Sequence, residues 1–122
     1  VTHGNSRFDL WGRQKNGTET FIEVKGVTLE ENGIARFPDA PTERGVKHIR
    51  ELMHCVQEGY EAYILFVVQM SGMRWFEPNG KTHPQFGTVL KEARAAGVHV
   101  IAAECVVRPD RLSIDKMIDV RL

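Results

Sequence analysis

The stretch FIEVKG, Phe21 to Gly26, sets a glutamate and a lysine inside a run that otherwise reads as β-strand. Phe21, Ile22 and Val24 are strand formers, and side chains on a strand alternate between its two faces. Phe21, Glu23 and Lys25 therefore share one face, with Ile22 and Val24 on the other. A face that places two charges beside a phenylalanine is either solvated or built for chemistry.

Working outward, SRFDLWG (6–12) reads as the preceding strand, and QKNGTE (14–19) as a turn with Asn16-Gly17 at its tip. TFIEVKGVTLE (20–30) is a long second strand, ENG (31–33) a tight turn and IARF (34–37) a short third strand. PDAPTERG (38–45) opens a helix, with Asp39 and Thr42 as cap candidates and Pro41 suited to the first turn. Ile49, Leu52, Met53 and Val56 form its amphipathic stripe, which runs to about Glu58 with Gly59 as the stop. AYILFVVQ (62–69) is apolar throughout, as a central strand covered on both faces would be. EPNGKTHP (77–84) reads as a loop. Phe86, Val89, Leu90 and Ala93 mark a second helix that ends at Gly97. VHVIAAECVV (98–107) is a further strand and MIDVRL (117–122) a candidate edge strand. The order β-β-β-α-β-α-β predicts an α/β fold, a mixed sheet with helices packed on it, in one domain over residues 1–122.

With 122 residues, the chain is long enough to bury a real core. Its 16 basic and 16 acidic residues cancel, which excludes a strongly basic coat but not a local patch. Cys55 and Cys105 lie outside any CxxC spacing and read as small buried hydrophobes in a reducing compartment. The run near AYILFVV is too short to span a bilayer, and no basic-then-apolar leader opens the sequence. The expectation is a cytoplasmic domain that does not enter the membrane.

Whether Asp9 meets Glu23 depends on the hairpin register. A two-residue Asn16-Gly17 turn makes paired residue numbers sum to 33, which puts Asp9 on the wrong face. A three-residue loop with Gly17 in the left-handed position makes the sum 32, and Asp9 then stands opposite Glu23. Two carboxylates brought together repel unless a cation sits between them. Hard ions such as Mg²⁺ are held by one or two carboxylates together with waters and phosphate oxygens. A lysine alongside can orient or deprotonate the attacking water, or balance charge on a phosphate. The array points to metal-assisted phosphodiester hydrolysis. Against it stands a solvated sheet face, with Arg7 and Asp9 as cross-strand partners.

GNSRFDL (4–10), EVKGVTL (23–29), FPDAPTERGVKHIRELM (37–53) and LFVVQ (65–69) resemble the sugar fermentation stimulation protein A family of bacteria and archaea. FPDAPTERG is the most specific piece. The resemblance runs from about Gly4 to the C-terminus, and implies the C-terminal domain of such a protein, without the family's N-terminal OB-fold-like segment. It implies a restriction-endonuclease-like fold of the PD-(D/E)xK type, with a mixed β-sheet flanked by helices. It also implies DNA binding without sequence preference, and a part in regulating sugar, notably maltose, metabolism. Carried onto this sequence, Asp9 matches the motif aspartate, Glu23 the acidic member and Lys25 the lysine. Arg7-Phe8 stands where the proline of the motif's name would precede Asp9.

Asp39 is a third metal ligand or a helix cap. Arg44, Lys47 and His48 lie where a helix start could meet phosphates, or on a solvated face with Glu43 and Glu51 interleaved. Gln69 could position a water or a base, or simply end a buried strand. Trp11 and Trp75 could stack on bases or pack. The five histidines show no zinc spacing.

The leading expectation is a Mg²⁺- or Mn²⁺-dependent nuclease-like domain. Asp9 and Glu23 would hold the metal, with the Val24 carbonyl as a further ligand, and Lys25 would act on the attacking water. The alternatives are a catalytically inactive, sequence-nonspecific DNA-binding regulatory module and a metal-stabilised protein-interaction domain. Self-association into a homo-oligomer stays open.

Overall fold

The computed structural model describes residues 2–3, 6–7, 10–13 and 17–122, with side chains from Gly17 onward, that of Val107 excepted. In chain order the strands before the first helix are β1 (Thr2–His3), β2 (Ser6–Arg7), β3 (Leu10–Arg13), β4 (Glu19–Val27), β5 (Leu29–Glu31) and β6 (Ile34–Phe37). Helix α1 (Glu43–Gln57), β7 (Glu61–Val68), β8 (Trp75–Pro78), α2 (Pro84–Ala96), β9 (His99–Arg108) and β10 (Arg111–Ile118) follow.

A mixed five-stranded sheet, ordered β10-β9-β7-β4-β3, forms the centre. Its β9-β7 and β7-β4 pairs are parallel, while β10-β9 and β4-β3 are antiparallel. The expected mixed sheet with packed helices is therefore present, although it is not the only sheet. The predicted long second strand breaks at Thr28. Its first part, β4, joins the central sheet, and its second, β5, turns into a separate three-stranded sheet ordered β5-β6-β8. β8 is a strand that the sequence reading lacks, its last two residues falling in the expected 77–84 loop, because its ladder partner is β6, some forty residues away, and not a chain neighbour. The C-terminus differs as well. β10 begins at Arg111, ahead of MIDVRL, while Val120 bridges to Phe76 and so ties the chain end to the second sheet.

The predicted first strand is divided. Ser6–Arg7 pairs with Thr2–His3, and Leu10–Arg13 pairs with β4. Asp9 lies outside the described residues. In the β3-β4 ladder Leu10 faces Ile22 and Trp11 faces Phe21, so paired residue numbers sum to 32. Gly17, with φ of 87°, takes the left-handed backbone conformation that this register calls for.

Both helices pack on one face of the central sheet. That face presents Phe21, Ala62, Ile64, Phe66 and Ala102, which share a buried cluster with Ile49 and Leu52 of α1 and Phe86, Val89 and Leu90 of α2. Phe66 stacks on Phe76 with ring centroids 4.3 Å apart and meets Phe86 edge-on at 6.3 Å, joining both sheets to α2. The second face of β7 is less covered than expected. Tyr63 and Leu65 are half-buried there, and Tyr63 stacks on His99 of the neighbouring strand at 4.4 Å.

The helix ends follow the sequence. Of the two cap candidates, the Thr42 side chain is the one that caps α1, accepting a 2.9 Å hydrogen bond from the Gly45 N–H. Asp39 is exposed in the bend before it. Gly97, with φ of 109°, caps the C-terminus of α2.

Candidate active site

β4 runs through the sheet between β3 and β7, and its inward face answers the question posed by FIEVKG. Phe21 is 1% exposed and Glu23 only 4%, so this face is not solvated. Glu23 lies beside Ile64 and Lys25 beside Phe66 on the adjacent strand, both fully buried. The two charges are thus set in apolar walls, where each ionic contact is stronger than in water and an uncompensated charge is costly.

Helix α1 closes the site from above. Lys25 Nζ lies 3.5 Å from Glu23 Oε1, and His48 Nδ1 lies 3.5 Å from Glu23 Oε2. Lys25 Nζ and His48 Nδ1 are 3.2 Å apart, which completes a triangle of three side chains. Lys25 and His48 keep only 16% and 14% of their side-chain surface exposed, so the site opens narrowly to solvent.

Of the residues expected to form the site, the structure brings Glu23 and Lys25 together. Asp9 and the side chain of Trp11 lie outside the described residues. Val24 separates Glu23 from Lys25 in the strand, so its side chain points to the opposite face. The three helix residues divide: His48 turns inward onto Glu23 and Lys25, while Arg44 and Lys47 are exposed. The helical period carried the signal for His48. It stands three residues after Gly45 and four before Leu52, both buried, and so belongs to the inward stripe.

Among the described residues no three His, Cys, Asp or Glu side chains converge in a group able to hold a metal, and Asp39 does not join Glu23 in one. Gln69 is exposed, with its backbone N–H donating to the Val27 carbonyl at 3.1 Å. Its side-chain nitrogen sits over Gly26, on the face opposite Glu23 and Lys25. Two guanidinium groups lie over the Trp75 ring, Arg121 at 3.9 Å and Arg74 at 4.9 Å from its centroid.

A second buried acid escaped the sequence reading. Glu104, 6% exposed, accepts hydrogen bonds from the N–H groups of Gly72 (3.1 Å) and Met73 (2.8 Å). It fastens the loop after β7 and borders a cavity of about 370 Å³ shared with Gln69, Ser71 and Asp115. Its oxygens are satisfied by backbone, which gives it a structural role. The only sign of it in the sequence is one glutamate inside an apolar strand.

The family described as sugar fermentation stimulation protein RE domain (SfsA) matches residues 1–111. The chain belongs to the sugar fermentation stimulation protein family. An SfsA homolog from Clostridium beijerinckii is 55% identical over 118 residues, covering 97% of this chain and 52% of the relative. One from Desulfitobacterium hafniense is 50% identical over 121 residues, covering 99% and 53%. The chain spans about half the length of the curated SfsA relatives it matches. The solved structure of Pyrococcus furiosus SfsA in complex with Ca²⁺ superposes with a TM-score of 0.88 at 31% identity, over 100% of this chain and 53% of that one. No helix among the described residues is long and apolar enough to cross a membrane.

Proposed function

We propose that this chain is a restriction-endonuclease-like domain that binds DNA without sequence preference and hydrolyses phosphodiester bonds with a divalent metal, Mg²⁺ or Mn²⁺. The observation that carries this reading is the burial of Glu23 and Lys25 side by side on the helix-covered face of the central sheet. A buried ion pair is often no more stable than well-packed apolar residues of the same volume, so its presence is better explained by chemistry than by folding.

Among the described residues Glu23 supplies one buried carboxylate, the kind of oxygen donor that a hard divalent ion takes. The β3-β4 register is the one in which Asp9 is expected opposite Glu23. The Ca²⁺ complex of the Pyrococcus furiosus relative supports divalent binding in this fold. In this reading Glu23 and Asp9 hold the metal, with the Val24 carbonyl as a further ligand. Lys25 orients the attacking water and offsets charge on the phosphate. When bound, the metal would make that water more acidic and neutralise the phosphate oxygens. Arg44 and Lys47, exposed near the start of α1, meet the DNA backbone. Within the full-length protein such a domain would serve the regulation of sugar, notably maltose, metabolism.

The test is cleavage of single- and double-stranded DNA with Mg²⁺ or Mn²⁺, wild type beside Lys25→Ala, each checked for folding by circular dichroism. Metal-dependent cutting that disappears in the variant is the expected result. Wild-type protein that binds DNA and never cuts it would leave the fold a holding module.

A further inference from the structure

Lys25 has three donors and no acceptor. An ammonium 3.2 Å from an imidazole nitrogen is attractive only if that nitrogen offers its lone pair. His48 Nδ1 cannot accept from Lys25 and donate to Glu23 at once. A hydrogen bond from Lys25 to His48 Nδ1 requires a neutral ring with its proton on Nε2. Glu23 Oε1 balances the lysine charge at 3.5 Å, and the imidazole supplies the shorter of the two contacts.

From this geometry we infer that His48 is a positioning residue. Its Nδ1 lone pair fixes where the Lys25 ammonium sits. The inference rests on the proposed reading for its catalytic meaning, though not for the contact itself. A lysine stem is flexible, and holding its tip in one place costs rotamer freedom, so the tip needs an anchor. Glu23 is a poor sole anchor, because in the proposed function its oxygens also serve the metal. His48, reaching in from the facing helix, gives the ammonium a second anchor beside Glu23. It keeps Nζ directed at the attacking water while Glu23 is engaged. Arg44, one turn earlier, remains exposed to meet phosphate, so the two functions divide along one helix face.

The test uses three variants of the intact protein. His48→Leu removes the acceptor, His48→Asn places an oxygen where Nδ1 stands, and His48→Gln places one nearer Nε2. Long-range proton–nitrogen NMR reads the tautomer directly, and the slowly exchanging ammonium signal of Lys25 reads the anchor. The expected result is an unprotonated Nδ1 in the wild type, with a Lys25 signal that is lost in His48→Leu and in His48→Gln and retained in His48→Asn. In cleavage, His48→Leu should lower kcat about 100-fold with KM unchanged, as for a group displaced by roughly 1 Å, and His48→Asn should restore it. A proton on Nδ1, a Lys25 signal indifferent to all three variants, or a salt-sensitive rise in KM without loss of kcat would overturn the inference. The last pattern would make His48 a phosphate contact. If the wild type does not cleave DNA, the proposed function fails, while the NMR results still decide the anchor.

Discussion

Lys25 Nζ and His48 Nδ1 sit 3.2 Å apart although 23 positions separate them. They meet because Lys25 faces inward from β4 and α1 returns over that face with His48 on its buried stripe. A strand of period two and a helix of period 3.6 thus deliver their polar residues to one point.

The cost of this arrangement is measurable. Lys25→Met leaves Glu23, its side chain 5% exposed, without its ammonium, and should lower stability by about 3–5 kcal/mol. The double variant Glu23→Leu/Lys25→Met removes both charges and should be as stable as the wild type, or more stable by about 1–4 kcal/mol. Urea unfolding followed by circular dichroism checks this. A double variant as unstable as the sum of its singles would mark the pair as structural.

Gly45→Ala would ordinarily stabilise a helix by about 1 kcal/mol. Here an added methyl group would lie 2.9 Å from the Thr42 side chain that caps α1 and 3.2 Å from the Phe86 ring. The expected outcome is a loss of about 1 kcal/mol through the disturbed cap. Thermal melts of Gly45→Ala beside Thr42→Ala should show similar losses, and a stabilised Gly45→Ala would contradict the close packing.

Phe66 is fully buried, and its ring joins the central sheet to Phe76 of the second sheet and to Phe86 of α2. Phe66→Leu keeps part of the volume and should lose about 1–2 kcal/mol, whereas Phe66→Ala should lose about 3–5 kcal/mol. Denaturant midpoints at constant m-value provide the measurement.

Burial pushes the Cys55 thiol from 9.0 up to about 11, with the charges of Glu58 and Glu51 adding to the rise. The folded state therefore keeps its proton over a range where the unfolded chain has released it. Stability from this source is fully present below pH 9 and falls as pH climbs toward 11, by on the order of 2 kcal/mol. Urea midpoints at pH 8 and pH 10.5 should differ, and Cys55→Ala should reduce the difference.

Arg44 and Lys47 are exposed near the start of α1. If they neutralise phosphates, Arg44→Ala and Lys47→Ala should each weaken DNA binding about equally across sequences. Each should also lower the slope of log affinity against log salt by about 0.9. Fluorescence anisotropy at several salt concentrations reads both, and an unchanged slope would remove the residue from the interface.

Much of this was legible beforehand because local periodicity set it. The alternation in FIEVKG placed Phe21, Glu23 and Lys25 on one face, and the Thr42 and Gly97 punctuation fixed the helix ends. The β3-β4 register was legible as one of two, with Gly17 able to take the left-handed turn of the odd loop. Long-range pairing was not legible. Nothing local to WFEP announces that β8 will lie along β6, and nothing in TFIEVKGVTLE marks Thr28 as the point where the chain leaves one sheet for another. For His48 the helical period points to the buried stripe, while its basic neighbours Arg44 and Lys47 give the same stretch the look of a phosphate-facing surface.

The N–H of Thr42, the cap of α1, donates to Nδ1 of His83, which itself precedes the first turn of α2. The start of one helix is therefore seated on the start of the other, and the tilt that brings His48 over the sheet is not a property of α1 alone. Copying the Glu-x-Lys strand into a foreign scaffold would carry two of the three groups and leave the third behind. Glu23, Lys25 and His48 come together only within the span that runs from Glu19 to the first turn of α2. A domain so built is hard to shorten and hard to shuffle, and is best inherited entire.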